Sequence, residues 1–209
     1  MFEAFLSAVQ PFLAPAFTAW GSPVSWLEIV AFVLALLMVL ANLRVHPVAW
    51  PLAIASSLLY GLLFSQSKLY GETGLQLMFV MLAVWGWWQW LHGTADGHAP
   101  LRVRRMPRVL RWQAAAATLA AWPLLALLLS RYTDSDVPFL DALATVGSVC
   151  GQILLGRKYL ENWPVWVAVN GFSVLLFAYK ALWLTVLLYL LLMALALWGW
   201  RVWRRLAAT

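Results

Sequence analysis

The sequence predicts an all-α membrane protein in which seven transmembrane helices form two parallel three-helix repeats joined by a linker helix (3+1+3). Three observations lead there. The chain of 209 residues is 64% hydrophobic and 11% charged, whereas a soluble domain carries about 25% charged residues. Seven apolar runs approach the roughly 20 residues that a helix needs to cross a bilayer. The sequence also aligns with itself: shifted by 113 residues, Trp26–Trp90 falls on Phe139–Trp203 without a gap, with 19 identities in 65 positions.

Each element follows from its residues. Residues 1–24 lack a cationic n-region, so they read as a short surface helix rather than a cleaved signal. The first repeat, 25–91, holds spans at 25–43, 48–66 and 72–91, divided by Arg44-Val45-His46-Pro47 and Gln66-Ser67-Lys68. Residues 92–108 form a basic loop, and 109–130 is the linker helix. The second repeat, 138–203, holds spans at 138–156, 163–180 and 182–201, with Arg157–Asn162 as its first turn.

The residues that match across the repeat are specific ones. Trp50-Pro51 meets Trp163-Pro164, Arg44 meets Arg157, Glu28 meets Asp141, and Trp85-Gly86-Trp87 meets Trp198-Gly199-Trp200. One intervening helix returns the chain to its starting side, which makes the repeats parallel. Carriers use such repeats around a site near the midplane.

Lysine and arginine set the orientation. With seven spans, one side collects 11 of the 14 cations and the other only Lys68, Arg131 and Lys180. The cation-rich side faces the cytoplasm, so the N-terminus lies outside and the C-terminus inside. This topology reading of the net charge of +6, and of the basic run 102–111, outweighs nucleic-acid or anionic-lipid binding, and no nucleic-acid partner is expected. Single Cys150 excludes an internal disulfide. The tryptophans near run ends, among them Trp85, Trp87, Trp88, Trp90, Trp198, Trp200 and Trp203, read as an interfacial belt.

Enzymatic motifs are missing. The chain has no HExxH, no Cys/His cluster, no GxSxG and no phosphate-cradling glycine loop. No cofactor, metal or catalytic residue is expected. What stands out is polarity at depth. The second span carries Ser56, Ser57 and Tyr60, and the third carries Gln76. The fifth carries Asp141, Thr145, Ser148 and Gln152, the sixth Trp166 and Asn170, and the seventh Thr185 and Tyr189. A buried amide in an apolar helix costs free energy unless something hydrogen-bonds it. Such groups serve either as glue between helices or as ligand contacts. Ser57, Thr145 and Thr185 read as glue. Trp166, Asn170, Gln152, Gln76, Tyr60, Ser56, Tyr189 and Asp141 are the candidate substrate contacts. Trp166 and Asn170 are four apart and share a helix face, and an indole can stack on a flat cationic ring.

The run RKYLENWPVWVAVN, Arg157 to Asn170, followed by Ser173-Val174, resembles the second-half signature of PnuC-type vitamin transporters. Trp26-Leu27-Glu28, Leu69-Tyr70 with Gln76, and Gly86-Trp87 with Trp90 match its first half, so the likeness spans about residues 26–203. The resemblance implies a fold similar to the SWEET sugar transporters, a homotrimer in a bacterial inner membrane, and facilitated diffusion of nicotinamide riboside with a cytosolic kinase trapping the vitamin by phosphorylation. It assigns Trp166, Asn170 and Gln76 to the substrate. Ser56-Ser57 departs from the asparagine many relatives carry there, which leaves thiamine or another vitamin as the alternative substrate. A membrane receptor or assembly subunit that moves nothing is the alternative of another class.

Overall fold

The computed structural model describes residues 14–19, 22–66, 70–95, 99–133, 137–179 and 183–208. Among them are seven helices: α1 (Trp26–Leu43), α2 (Ala49–Gln66), α3 (Tyr70–His92), α4 (Arg108–Tyr132), α5 (Pro138–Gly156), α6 (Asn162–Tyr179) and α7 (Trp183–Leu206). Two short antiparallel hairpins join them: β1 (Pro15–Ala19) with β2 (Ser22–Ser25), and β3 (Thr94–Ala95) with β4 (Ala99–Pro100). The chain divides between Val84 and Trp85 into two compact units.

The helix limits follow local chemistry. Ser25 caps α1 by accepting a hydrogen bond from the Glu28 amide at 3.2 Å, and Glu28 then complements the N-terminal dipole. Pro138 opens α5, where its missing N–H costs nothing. The α1 and α5 C-termini close in the same way. Arg44 and Arg157 cap them with nearly identical dihedrals. Val45 and Lys158 follow in the left-handed region, at φ 53° and 54°. The His46 amide donates to the Ala41 carbonyl, and the Tyr159 amide to the Leu154 carbonyl, each at 3.0 Å. This is a Schellman closure, made twice at positions 113 residues apart. The starts of α2 and α6, and of α3 and α7, have the same offset.

Within the first unit α1 packs on α2. In the second, α5 packs on α4 and α6, and α6 on α7. Glycines set the close approaches. A Cβ on Gly199 would lie 2.5 Å from the Trp163 ring, one on Gly156 2.5 Å from Trp85, and one on Gly147 2.7 Å from Val169.

Five helical stretches are long and apolar enough to cross a membrane by length and composition: α1, α2, α4, α5 and Val186–Leu206 of α7. The sequence predicts seven spans. The other two helices are less apolar because they carry Gln76 and Gln89 in α3, and Asn162, Asn170 and Ser173 in α6.

Two sequence expectations are corrected. The described part of the N-terminal segment is a β-hairpin where a surface helix was expected, because neither Pro15 nor Pro23 has an N–H to donate within a helix. The expectation for residues 1–13 lies outside the described residues, as do Lys68 and Lys180. The tryptophans also divide. Trp87, Trp88, Trp198 and Trp200 are exposed, as a belt requires, but Trp50, Trp90, Trp163 and Trp203 are buried. The Trp90 indole donates to the Leu155 carbonyl at 3.1 Å, and Trp163 meets Trp203 edge-on at 5.5 Å. These rings are packing.

Candidate functional site

The candidate residues fall in both units. In the first, Ser56 is buried and its hydroxyl donates to the Ala31 carbonyl at 2.9 Å. That proton ties α2 to α1, so only the oxygen lone pairs remain for another group. Tyr60, half-buried one turn further along α2, stacks on Phe64 with ring centroids 6.1 Å apart. Gln76 is half-buried on α3. Its Cβ lies 3.4 Å from the Cβ position of Gly61, so α2 and α3 meet closely at that point.

In the second unit the α5–α6 pair brings three candidates together. The Trp166 ring lies 3.0 Å from the Cβ position of Gly151, and Val169 touches Gly147. The two helices therefore run antiparallel with Gln152 beside the Trp166 contact and Asn170 beside the Val169 contact. The register sets the two amides about 8 Å apart along the axis, at ~1.5 Å per residue. Gln152 and Asn170 are buried, at 8% and 5% exposure. Neither side chain makes a hydrogen bond among the described residues.

Ser173 completes this stripe and is the residue that sequence reasoning passed over. It is 3% exposed, and its hydroxyl likewise makes no hydrogen bond among the described residues. Trp166, Asn170 and Ser173 stand at i, i+4 and i+7, the spacing of one helical face. That spacing was the available signal.

Tyr189 and Asp141 sit apart from these. Met193 lies 3.5 Å from the Cβ position of Gly171, so Tyr189, four residues earlier, is on the same face of α7. It is half-buried and already engaged by a neighbouring group, as is Asp141. Asp141 lies in the first turn of α5, where it complements the helix dipole. Eleven residues of one helix put it roughly 16 Å from Gln152.

The other end of the second unit is closed by a network. The Lys158 ammonium donates to the Leu101 carbonyl at 3.0 Å and lies 4.9 Å from the centre of the Trp90 ring. Burial pushes its pKa down. Arg104 lies over the Tyr159 ring at 5.0 Å, and Arg157 over Trp85 at 5.7 Å. Glu161 accepts from the Met106 amide at 2.9 Å and pairs with Arg111 at 2.7 Å. No group of three or more His, Cys, Asp or Glu able to hold a metal occurs among the described residues.

An aromatic ring beside buried, unpartnered amides suits a flat, neutral or cationic polar solute. Known proteins resemble this chain over most of its length. The family model described as nicotinamide mononucleotide transporter matches residues 25–205. The nicotinamide riboside transporter PnuC of Escherichia coli (strain K12) is 30% identical over 88% of this chain and 87% of its own. The riboflavin/roseoflavin transporter RibM of Streptomyces davaonensis is 29% identical over 90% of this chain and 89% of its own. The crystal structure of the vitamin B3 transporter PnuC superposes with a TM-score of 0.72 at 24% identity, covering 88% of this chain and 82% of that one. This multi-pass membrane chain belongs to the PnuC-type transporter family.

Proposed function

We propose that the protein takes up nicotinamide riboside by facilitated diffusion and that phosphorylation by a cytosolic kinase traps the vitamin inside. The observation that carries this reading is the α6 stripe. Asn170 and Ser173 are buried without partners among the described residues beside Trp166, with Gln152 on α5 in the same condition. Trp166 stacks on the cationic pyridinium, and the amides hydrogen-bond the ribose hydroxyls or carboxamide. Tyr60, Gln76 and Ser56, with Tyr189 and Asp141, are the further substrate contacts of this reading.

The seven helices act as two parallel three-helix repeats joined by α4, a reading supported by the common offset of 113 residues between their limits. The excess of 11 cations over 3 supports an outside N-terminus and an inside C-terminus in a bacterial inner membrane. The homotrimer rests on family resemblance.

Calorimetry with a vitamin panel on the purified protein, followed by uptake into liposomes, tests the function. Nicotinamide riboside binds and is transported without ion gradient or ATP, and Trp166→Ala and Asn170→Ala proteins that fold do neither at the normal level. A second reading, a larger vitamin on the same frame, is favoured by the RibM relative, whose 29% identity nearly equals the 30% of PnuC. Riboflavin or thiamine displacing nicotinamide riboside from first place in the panel selects it. Binding without flux into liposomes would instead make the chain a receptor.

A further inference from the structure

We infer that the basic end of α4 and α7 holds the phosphate of an anionic phospholipid, as a built lipid site separate from the vitamin site. An open cleft of about 340 Å³ is lined by Arg105, Arg111, Glu161, Trp200 and Arg204, among others. A second cleft of about 410 Å³ shares Arg111 and adds Arg108, Trp112 and Ala115. Three guanidiniums against one carboxylate leave two positive charges in the first cleft, and Arg108 adds a third in the second. The carboxylate is itself neutralised, because Glu161 is held by Arg111 at 2.7 Å and by the Met106 amide. Arg105, Arg108 and Arg204 make no ion pair among the described residues.

The occupant follows from charge and from what adjoins it. A guanidinium fork matches a phosphate bidentately. Trp112 and Trp200 flank the guanidiniums, with exposures of 78% and 38%, and an amphipathic indole suits the headgroup level. Beyond Trp112 the same face of α4 continues through Leu119 and Leu127, both exposed, as a track for an acyl chain. A soluble anion would use the arginines but not this apolar track. Basic pockets at helix ends facing the cytoplasm are suited to anionic headgroups. That this end faces the cytoplasmic leaflet rests on the orientation proposed above; the lipid site does not.

The test uses the whole protein, delipidated in detergent and titrated with phosphatidylglycerol, phosphatidylcholine or glycerol 3-phosphate, with bound lipid counted by native mass spectrometry. Phosphatidylglycerol binds at least about tenfold more tightly than phosphatidylcholine. The Arg105→Gln/Arg204→Gln protein loses about thirtyfold of that affinity, and Arg204→Gln alone about fivefold, if each cation contributes as is usual beside an anionic leaflet. The lysine pair at the same positions keeps most of it, and Arg131→Gln at the far end of α4 keeps all of it. Equal binding of the two lipids overturns the inference, as does unchanged affinity in the glutamine variants. Displacement of phosphatidylglycerol by equimolar glycerol 3-phosphate also overturns it, because the site would then be one for soluble anions. The readout involves neither vitamin nor membrane orientation, so its failure leaves the transport reading untouched, and failure of transport leaves the lipid site untouched.

Discussion

Replacing Asn170 by leucine separates a ligand group from a structural one. The Asn170 amide is 5% exposed and has no partner among the described residues. An amide fully cut off from water and from partners costs about 1–3 kcal/mol, an upper bound here because the Asn170 amide atoms are not among the fully enclosed orphans. Leucine has the same branched outline, though it is bulkier, and it gives up no protein hydrogen bond, so Asn170→Leu folds with a stability close to the parent's. At ~2–4 °C per kcal/mol for a chain of this size, its thermal midpoint in detergent stays within a few degrees of the parent's. Substrate binding weakens. A vitamin hydroxyl or carboxamide that loses its partner forfeits ~1–3 kcal/mol, a weakening of roughly 5- to 150-fold in Kd. Ser56→Ala supplies the contrast. Its hydroxyl is bonded to the Ala31 carbonyl at 2.9 Å, so its removal lowers stability by ~1 kcal/mol and changes affinity little. The measurements are unfolding by tryptophan fluorescence and calorimetric titration with nicotinamide riboside. A fall of more than about 4 °C in Asn170→Leu with affinity intact would refute the reasoning, because the amide would then be glue.

Three further outcomes follow from the packing and the turns. Gly199→Ala forces a methyl to within 2.5 Å of the Trp163 ring, itself backed by buried Trp203; an overpacked contact of this kind costs ~1–3 kcal/mol, read as a midpoint lowered by several degrees. Val45→Gly relieves a β-branched residue at φ 53° and raises stability by up to about 1 kcal/mol, whereas Lys158→Gly at φ 54° brings no gain because it discards the bond to Leu101 and the Trp90 contact. The Lys158 pKa is depressed by burial below its ordinary 10.5, so the unfolded chain binds the proton more tightly. The penalty of burying the charge is complete below the depressed pKa and disappears as pH rises towards 10.5, and this contribution to stability therefore increases with pH across that window. Lys158→Arg, which does not titrate there, lacks the increase, and midpoints measured from pH 8 upward compare the two.

Most helix limits were legible because charge and proline mark them. Residues 138–156 are α5 as read, and α1, α2, α4 and α6 begin within one residue of expectation. The α7 end was not legible. The sequence places the span end at Arg201, yet α7 continues to Leu206. Hydropathy reports where the bilayer stops, and a helix can run on into the headgroups. The buried tryptophans were illegible for a different reason. Whether an indole packs or floats depends on a small residue facing it on another helix, as Gly156 faces Trp85 and Gly199 faces Trp163, and a linear reading cannot pair those positions. The serines of α2 show the same limit at single-residue scale. Ser56 and Ser57 are adjacent, but only rotation about the helix axis decides which one reaches the Ala31 carbonyl. Asn170 was legible because an amide in an apolar run is conspicuous, whereas Ser173 was not, because a lone serine in a helix usually signals nothing.

The distribution of satisfied and unsatisfied groups along α6 carries a functional argument. At its start, cations and rings are locked together: Lys158 to Leu101 and Trp90, Arg104 to Tyr159, Glu161 to Arg111 and Met106. The buried orphans there, Asn162 Oδ1 and Trp163 Nε1, belong to side chains otherwise fixed by the Tyr159 carbonyl and by Trp203. One to three turns further on, Trp166, Asn170 and Ser173 present a ring, an amide and a hydroxyl, and the two polar groups have no protein partner among the described residues. Folding alone gives no reason to keep them, since leucine or alanine would serve the packing better. A substrate that completes their hydrogen bonds on arrival and restores the vacancy on departure does give one. The modest number of such groups also fits a passive carrier, which must bind well enough to select and weakly enough to let go.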